Sequence, residues 1–128
     1  MSEILHHEIT DAIIKCAFEV HNYLGSGFLE KVYENALCKE LEIQGIASQT
    51  QVVIKVDYKG TIVGDYVADI IVENKVLVEL KAVERMIDLH ELQLKNYLKA
   101  TGIEVGLLLN FGKSLDIKRK YVKAEKNV

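Results

Sequence analysis

Apolar residues along the chain first follow a helical step. Ile9, Ala12, Ile13, Cys16, Ala17, Val20 and Leu24 recur every three or four positions, which predicts an amphipathic helix that stops at Gly25. After the Gly25-Ser26-Gly27 break, Leu29, Val32, Tyr33, Ala36, Leu37 and Leu41 repeat the spacing, and Gly45 ends a second helix. From Gln51 the period shortens to two. QVVIKVDYKG alternates and is rich in β-branched residues, and TIVGDYVADIIV and VLVELKAV follow after turn signals at Lys59-Gly60 and around Asn74, giving three antiparallel strands. Asp88 with Glu91 has the form of a capping box and opens a third helix, running to Ala100 with Gly102 as its stop. The short, glycine-bounded run VGLLLNF suits a central buried strand, and DIKRKYV adds an edge strand. The order ααβββαβ(β) is that of an α/β (α+β) sandwich on a mixed sheet.

The hairpin YVADIIVENKVLVELKAVE breaks its own pattern, because an almost wholly apolar run carries Asp69, Glu79 and Lys81. Register decides where they point. A three-residue loop, Glu73-Asn74-Lys75, with Asn74 or its neighbour in the left-handed conformation, sets Asp69 directly across from Glu79. Ala68, Ile70, Val72, Val76, Val78, Leu80 and Ala82 then line one face, and the three charges share the other with Val67, Ile71 and Leu77. A two-residue loop at Asn74-Lys75 would instead bury Asp69 unpartnered among Val78 and Leu80, at a cost of several kcal/mol.

Two carboxylates on neighbouring strands, with β-carbons about 5 Å apart, repel one another. Lys81 alone could offset this as a salt-bridged triad. The chemical alternative is a hard divalent cation between the carboxylates, since Mg²⁺ takes a few oxygen ligands and keeps its waters for substrate phosphates. A lysine beside such a metal can position or help deprotonate a water that attacks phosphorus in line with the leaving oxygen.

Composition narrows the setting. A chain of 128 residues falls in the range of one domain, and 49% apolar with 27% charged residues and no proline is the profile of a compact fold rather than a linker. We therefore read residues 1–128 as a single domain. The opening MSEILHHEIT has no basic start followed by an apolar block, and no apolar run approaches the ~20 residues of a bilayer span, so the expectation is a cytoplasmic protein with no membrane partner. Cys16 and Cys38 lack metal-ligand spacing and read as small helix residues. A net charge of −3 counts against coating nucleic acid by charge alone. From Lys113 onward Lys113, Lys118, Arg119, Lys120, Lys123 and Lys126 outnumber Asp116 and Glu125, and a solvated edge strand and chain end accounts for them better than phosphate contact does.

Asp69 followed, after the strand turn, by Glu79-x-Lys81 resembles the core motif of the PD-(D/E)xK nuclease superfamily, and the element order resembles its restriction-endonuclease-like αβββαβ core with one helix in front. GFLEKVYENAL matches the GxxExxY signature through Gly27, Glu30 and Tyr33. VELKAVE, HELQLKNYLKATG and VGLLLNFG extend the likeness to the GxxExxY branch from Gly25 to Gly112. The resemblance implies a Mg²⁺- or Mn²⁺-dependent nuclease that hydrolyses phosphodiester bonds in DNA, with RNA less favoured. It makes Asp69 and Glu79 metal ligands, Lys81 the catalytic lysine, and Glu30 the acidic residue that approaches the metal from the neighbouring helix. Gln93 and Tyr97 match a Q-x-x-x-Y element that supports the site or the bound strand, with Tyr33 and His90 as further supporting residues. Ala68 stands where the motif's name has proline, which changes the name more than the chemistry.

The residues themselves leave alternatives. Glu30 lies at the margin of the buried helical arc and also suits a helix's first turn by charge, while Glu40 falls deeper in the same arc as a rival. His90, Gln93 and Tyr97 share a helix face, where hydrogen bonding alone would account for the histidine. The competing function is a non-catalytic nuclease-fold module that binds nucleic acid or a protein partner. Hydrolysis of a small phosphate ester is a third, without a GxxxxGK[ST] loop to support it. A homo-oligomer would give so small a nuclease a second strand-binding surface.

Overall fold

A computed structural model describes residues 5–123, so Glu125 and Lys126 of the basic tail lie outside the described residues. The elements are α1 (His7–Leu24), α2 (Glu30–Ile43), β1 (Ser48–Tyr58), β2 (Thr61–Val72), β3 (Val76–Lys81), α3 (Asp88–Thr101), β4 (Val105–Phe111) and β5 (Leu115–Tyr121). The sheet runs β1-β2-β3-β4-β5. Only β3 and β4 are parallel, with α3 as the crossover such a pair requires. The expected three helices and mixed sheet are present, and the last basic segment is the edge strand β5. Among the described residues, no helix is long and apolar enough to cross a membrane.

Helices cover both faces. Ile13, Cys16, Ala17 and Val20 of α1 and Tyr33, Leu37 and Leu41 of α2 pack on Ile70, Val72, Val76, Val78, Leu80, Leu107 and Leu109. On the other face, Leu94 and Leu98 of α3 cover Ile54, Ala68, Ile71, Leu77 and Leu108. Strand β4, between the two layers, is buried at every position, as its unbroken apolar run demands. Gly106 lets α3 come this close: a Cβ there would stand 2.9 Å from Leu94 Cδ1.

Two expectations are corrected. Helix α3 begins one residue earlier than the Asp88/Glu91 capping box implies, with Ile87 at its N-cap. The residue three positions on is therefore His90, whose Nδ1 accepts the Ile87 N–H at 3.3 Å. Glu91 instead pairs with Lys120 of β5. The second correction concerns the hairpin. Its register is as expected, with Ile70–Val78, Ile71–Leu77 and Val72–Val76 paired around a three-residue loop, and both Glu73 (φ 54°) and Asn74 (φ 55°) are left-handed. Strict alternation nevertheless fails at Asp69. Ile70 and Val72 face α1 and α2, whereas Ala68 packs under α3.

Strand β1 turns over at the same level. Thr50, paired with Ile70, lies beside Cys38 and Glu42 of α2, while Val52, paired with Ala68, packs on the α3 side. Between them Gln51 has φ 52°, and one left-handed residue of this kind is enough to swap a strand's faces. The hairpin thus serves two cores, and its crossover point is the Gln51–Asp69 level.

Candidate active site

The β2–β3 ladder ends at Ile70–Val78, and side chains take over from it. The Asp69 N–H donates to Glu79 Oε2 at 3.0 Å, and the Leu80 N–H donates to Asp69 Oδ2 at 2.8 Å. Each carboxylate is tied to the other's strand through one oxygen, leaving its second oxygen outside these bonds. Both residues are half-buried in the gap between the strands rather than spread over a sheet face.

Burial without full neutralisation shows in the acidities. Desolvation, then repulsion from Asp69, pushes the Glu79 carboxyl up to about 8. Desolvation also raises Asp69, opposed by the Leu80 N–H bond and by the charge of Lys81. Lys81 lowers both carboxyls, yet it closes no ion pair among the described residues, so the salt-bridged triad does not form. The half-buried ammonium stands near the pair with its donors uncommitted. Beyond it, Asn110, in register with Lys81, brackets Val83 by accepting its N–H and donating to its carbonyl, both at 2.9 Å. This clamp fixes the chain where it leaves the site.

Helix α2 supplies the acidic wall. Glu30 opens the helix at the surface. Its carboxyl is raised by desolvation and then by Asp69, with Lys81 pulling the other way, which sets it near the hairpin charges. Tyr33 is fully buried. Its ring stacks on Phe111 at 4.6 Å, and its hydroxyl donates to the Gly25 carbonyl at 2.6 Å and accepts the Phe28 N–H at 3.2 Å. The Gly-x-x-Glu-x-x-Tyr spacing therefore has a structural meaning here: the tyrosine anchors the turn that delivers Glu30. Glu40 turns away and lines a groove against α1 with Glu8, Asp11 and Cys16.

Helix α3 supplies an aromatic wall. Tyr97 stacks on Tyr66 of β2 with ring centroids 3.4 Å apart, and both phenols are pushed up by burial and by the charge of Glu79. The Tyr66 hydroxyl is buried with no hydrogen-bond partner among the described residues. Gln93 lies half-buried one turn before Tyr97, and His90 is occupied at the start of the helix.

Could these residues hold a metal? Asp69 and Glu79 offer hard carboxylate oxygens, and the raised pKa of each marks a place where a nearby positive charge would be stabilising. No three His, Cys, Asp or Glu side chains among the described residues form a ready-made ligand cluster. That donor set fits Mg²⁺ or Mn²⁺, which bind through one or two carboxylates and keep several waters, and does not fit a closed all-protein cage.

The family model described as the PD-(D/E)XK nuclease superfamily matches residues 7–122. The chain belongs to that superfamily. Among solved structures, the crystal structure of SSO0001 aligns with a TM-score of 0.60 at 20% identity over 92% of this chain, a likeness of fold. The chain spans 60% of the length of that protein. No curated protein matches. Members of the superfamily are commonly dependent on a divalent metal, which agrees with the donor set.

Four residues beside the superfamily motif escaped the sequence reading. Glu34, one turn after Glu30, is 4% exposed and lies in the arc of Leu37 and Leu41, so helical spacing contained its signal. Asn110 is the only polar side chain in VGLLLNF, a visible exception to the apolar run. Tyr66 had only the alternation of its strand to mark it. Gln51 had no signal, because its distinction is a backbone angle.

Proposed function

We propose that this protein is a Mg²⁺- or Mn²⁺-dependent nuclease that hydrolyses phosphodiester bonds in DNA. The Gly27, Glu30 and Tyr33 spacing favours the GxxExxY branch of the superfamily. The observation that carries the reading is the interlocked pair: two carboxylates held in a strand gap by each other's backbone, with an unpaired lysine beside them. Asp69 and Glu79 would hold the metal, with Glu30 on the α2 side. When bound, the cation supplies charge for the phosphate oxygens and lowers the pKa of a coordinated water.

The chain's own groups do the rest. Lys81 orients the attacking water and stabilises charge that develops on phosphate oxygens, which its lack of an ion pair leaves it free to do. Asn110 and the Leu80 N–H keep the strand carrying Lys81 from moving. Tyr97 and Gln93 border the site on the α3 side, where a nucleic acid strand would pass.

The test is cleavage of labelled single-stranded, duplex and branched DNA by metal-stripped protein, with Mn²⁺ or Mg²⁺ restored, beside Lys81→Ala. Metal-dependent cutting that vanishes in the variant, from protein that still melts cooperatively, is the expected result. Equal cutting by Lys81→Ala would overturn the assignment of that residue. Silence on every substrate, with a melting point indifferent to metal, would leave a non-catalytic binding module instead.

A further inference from the structure

Beside the motif, Gln51 and Glu34 form an arrangement that the proposed chemistry does not use. Gln51 carries a side chain in the left-handed region, φ 52°, in mid-strand, a conformation that costs on the order of 1–3 kcal/mol and persists only where the surroundings impose it. No turn explains it, since β1 continues to Tyr58. What it achieves is reach. An uninterrupted strand would send Thr50 toward α2 and Gln51 to the opposite face, under α3. Because β1 turns over at Gln51, the amide extends to α2 instead, and its Nε2 donates to Glu34 Oε1 at 2.9 Å.

The Glu34 carboxylate is buried, and both its oxygens are bound, one by Gln51 and one by Lys31. Its negative charge is close enough to act on Asp69 and on Glu30. Gln51 itself lies level with Asp69, between the Thr50–Ile70 and Val52–Ala68 pairs. The strained residue, the buried acid and the motif aspartate therefore meet at one level of the sheet.

We propose that Gln51 is a positioning residue of the metal pocket: its left-handed backbone and its amide lock Glu34 in place as the fixed negative wall beside Asp69, so that the pocket is preorganised for a divalent cation. This rests on the metal-dependent reading above. Glu34 need not touch the ion, because an outer carboxylate held in a fixed direction orients ligands and their waters.

The test is Mn²⁺ affinity, read from the metal-induced rise in melting point and from Mn²⁺ electron paramagnetic resonance, without any nucleic acid. Gln51→Gly keeps the left-handed backbone free of strain and deletes only the amide. It is expected to fold with a metal-free melting point near that of the wild type and to bind Mn²⁺ about tenfold more weakly, the usual size of an outer-shell loss. Glu34→Gln, which leaves the strand untouched, is expected to lose affinity to a similar extent. The double variant should be no weaker than Glu34→Gln alone, because one residue acts through the other. Wild-type Mn²⁺ affinity in Gln51→Gly, with or without a lowered melting point, overturns the proposal and leaves the metal reading intact. Additive losses in the double variant also overturn it. No Mn²⁺ binding by the wild type sinks the metal reading and this proposal with it.

Discussion

The two walls of the site are built on opposite principles. On the α2 side the buried polar groups near the pocket are tied down: Glu34 by Lys31 and Gln51, and the Tyr33 hydroxyl by Gly25 and Phe28. On the α3 side two stacked tyrosines present apolar surface, and the Tyr66 hydroxyl has no partner. The carboxylates divide accordingly. Asp69 feels the charge of Glu34, and Glu79 acts on the phenols of Tyr66 and Tyr97 more strongly than Asp69 does. One wall fixes charge in place, and the other strips water away. A pair of acids set between such walls becomes unlike, which lets one hold a proton where the other does not.

The severest way to break this comparison is to remove the acid on the dry side. Glu79→Gln is expected to abolish the metal-induced rise in melting point and to lower metal-dependent cleavage by at least about 10³-fold, while the metal-free protein at pH 9 melts higher than the wild type. A lower melting point would mean that Glu79 is a structural acid.

Next in size is the pH response of the metal-free protein. Burial pushes Glu79 in the folded state up to about 8 from the ordinary glutamate value of 4.5, so the stability it contributes is full below the unfolded value and is lost as pH rises through the folded one. Melting scans from pH 5 to pH 9 should therefore show a decline that Glu79→Gln flattens. The Mn²⁺-induced shift should grow over the same range as the proton leaves. A flat wild-type profile would place Glu79 in water.

Two hydroxyl deletions sharpen the contrast at smaller scale. Tyr33→Phe, on the tied-down wall, removes a group that donates one hydrogen bond and accepts another, and should cost about 1–3 kcal/mol by denaturant melts. Tyr66→Phe removes an orphan and should be neutral or stabilising by about 1 kcal/mol in the metal-free protein. Equal costs for the two would erase the difference between the walls.

How legible was this in the sequence? Periodicity marked all three helices and the first three strands, because each buries a stripe or a face, and an unbroken apolar run marked β4. The same pressure set the hairpin register that opposes Asp69 and Glu79, since the two-residue loop would have buried a lone charge. Alternation misled at Ala68, which was assigned to the face of Ile70 and lies on the other. The cause, a left-handed Gln51, belongs to the backbone and leaves no mark on hydrophobic order. Choosing among the α2 acids also exceeded the pattern. Glu30 at the margin of the buried arc and Glu40 deeper in it are the acids the pattern offers, whereas Glu34 is the one that is buried, and a glutamate is rarely buried unless paired. Its partner Gln51 comes from another element. Cap identity failed for a smaller reason, a one-residue difference in where α3 begins.

The stack of Tyr33 on Phe111 ties the order of synthesis to the order of assembly. The turn that delivers Glu30 rests on a ring near the end of β4, and His21 at the close of α1 bonds the carbonyl of Gly112, 91 residues away. During translation the hairpin with its acids can form while α1 and α2 still lack Phe111 and the Gly112 carbonyl. The Tyr33 ring gains its Phe111 support only after β4 has left the ribosome and slotted in parallel to β3. The nascent chain thus carries its acidic pair early and its complete pocket late, a timing written into the topology rather than into any regulator.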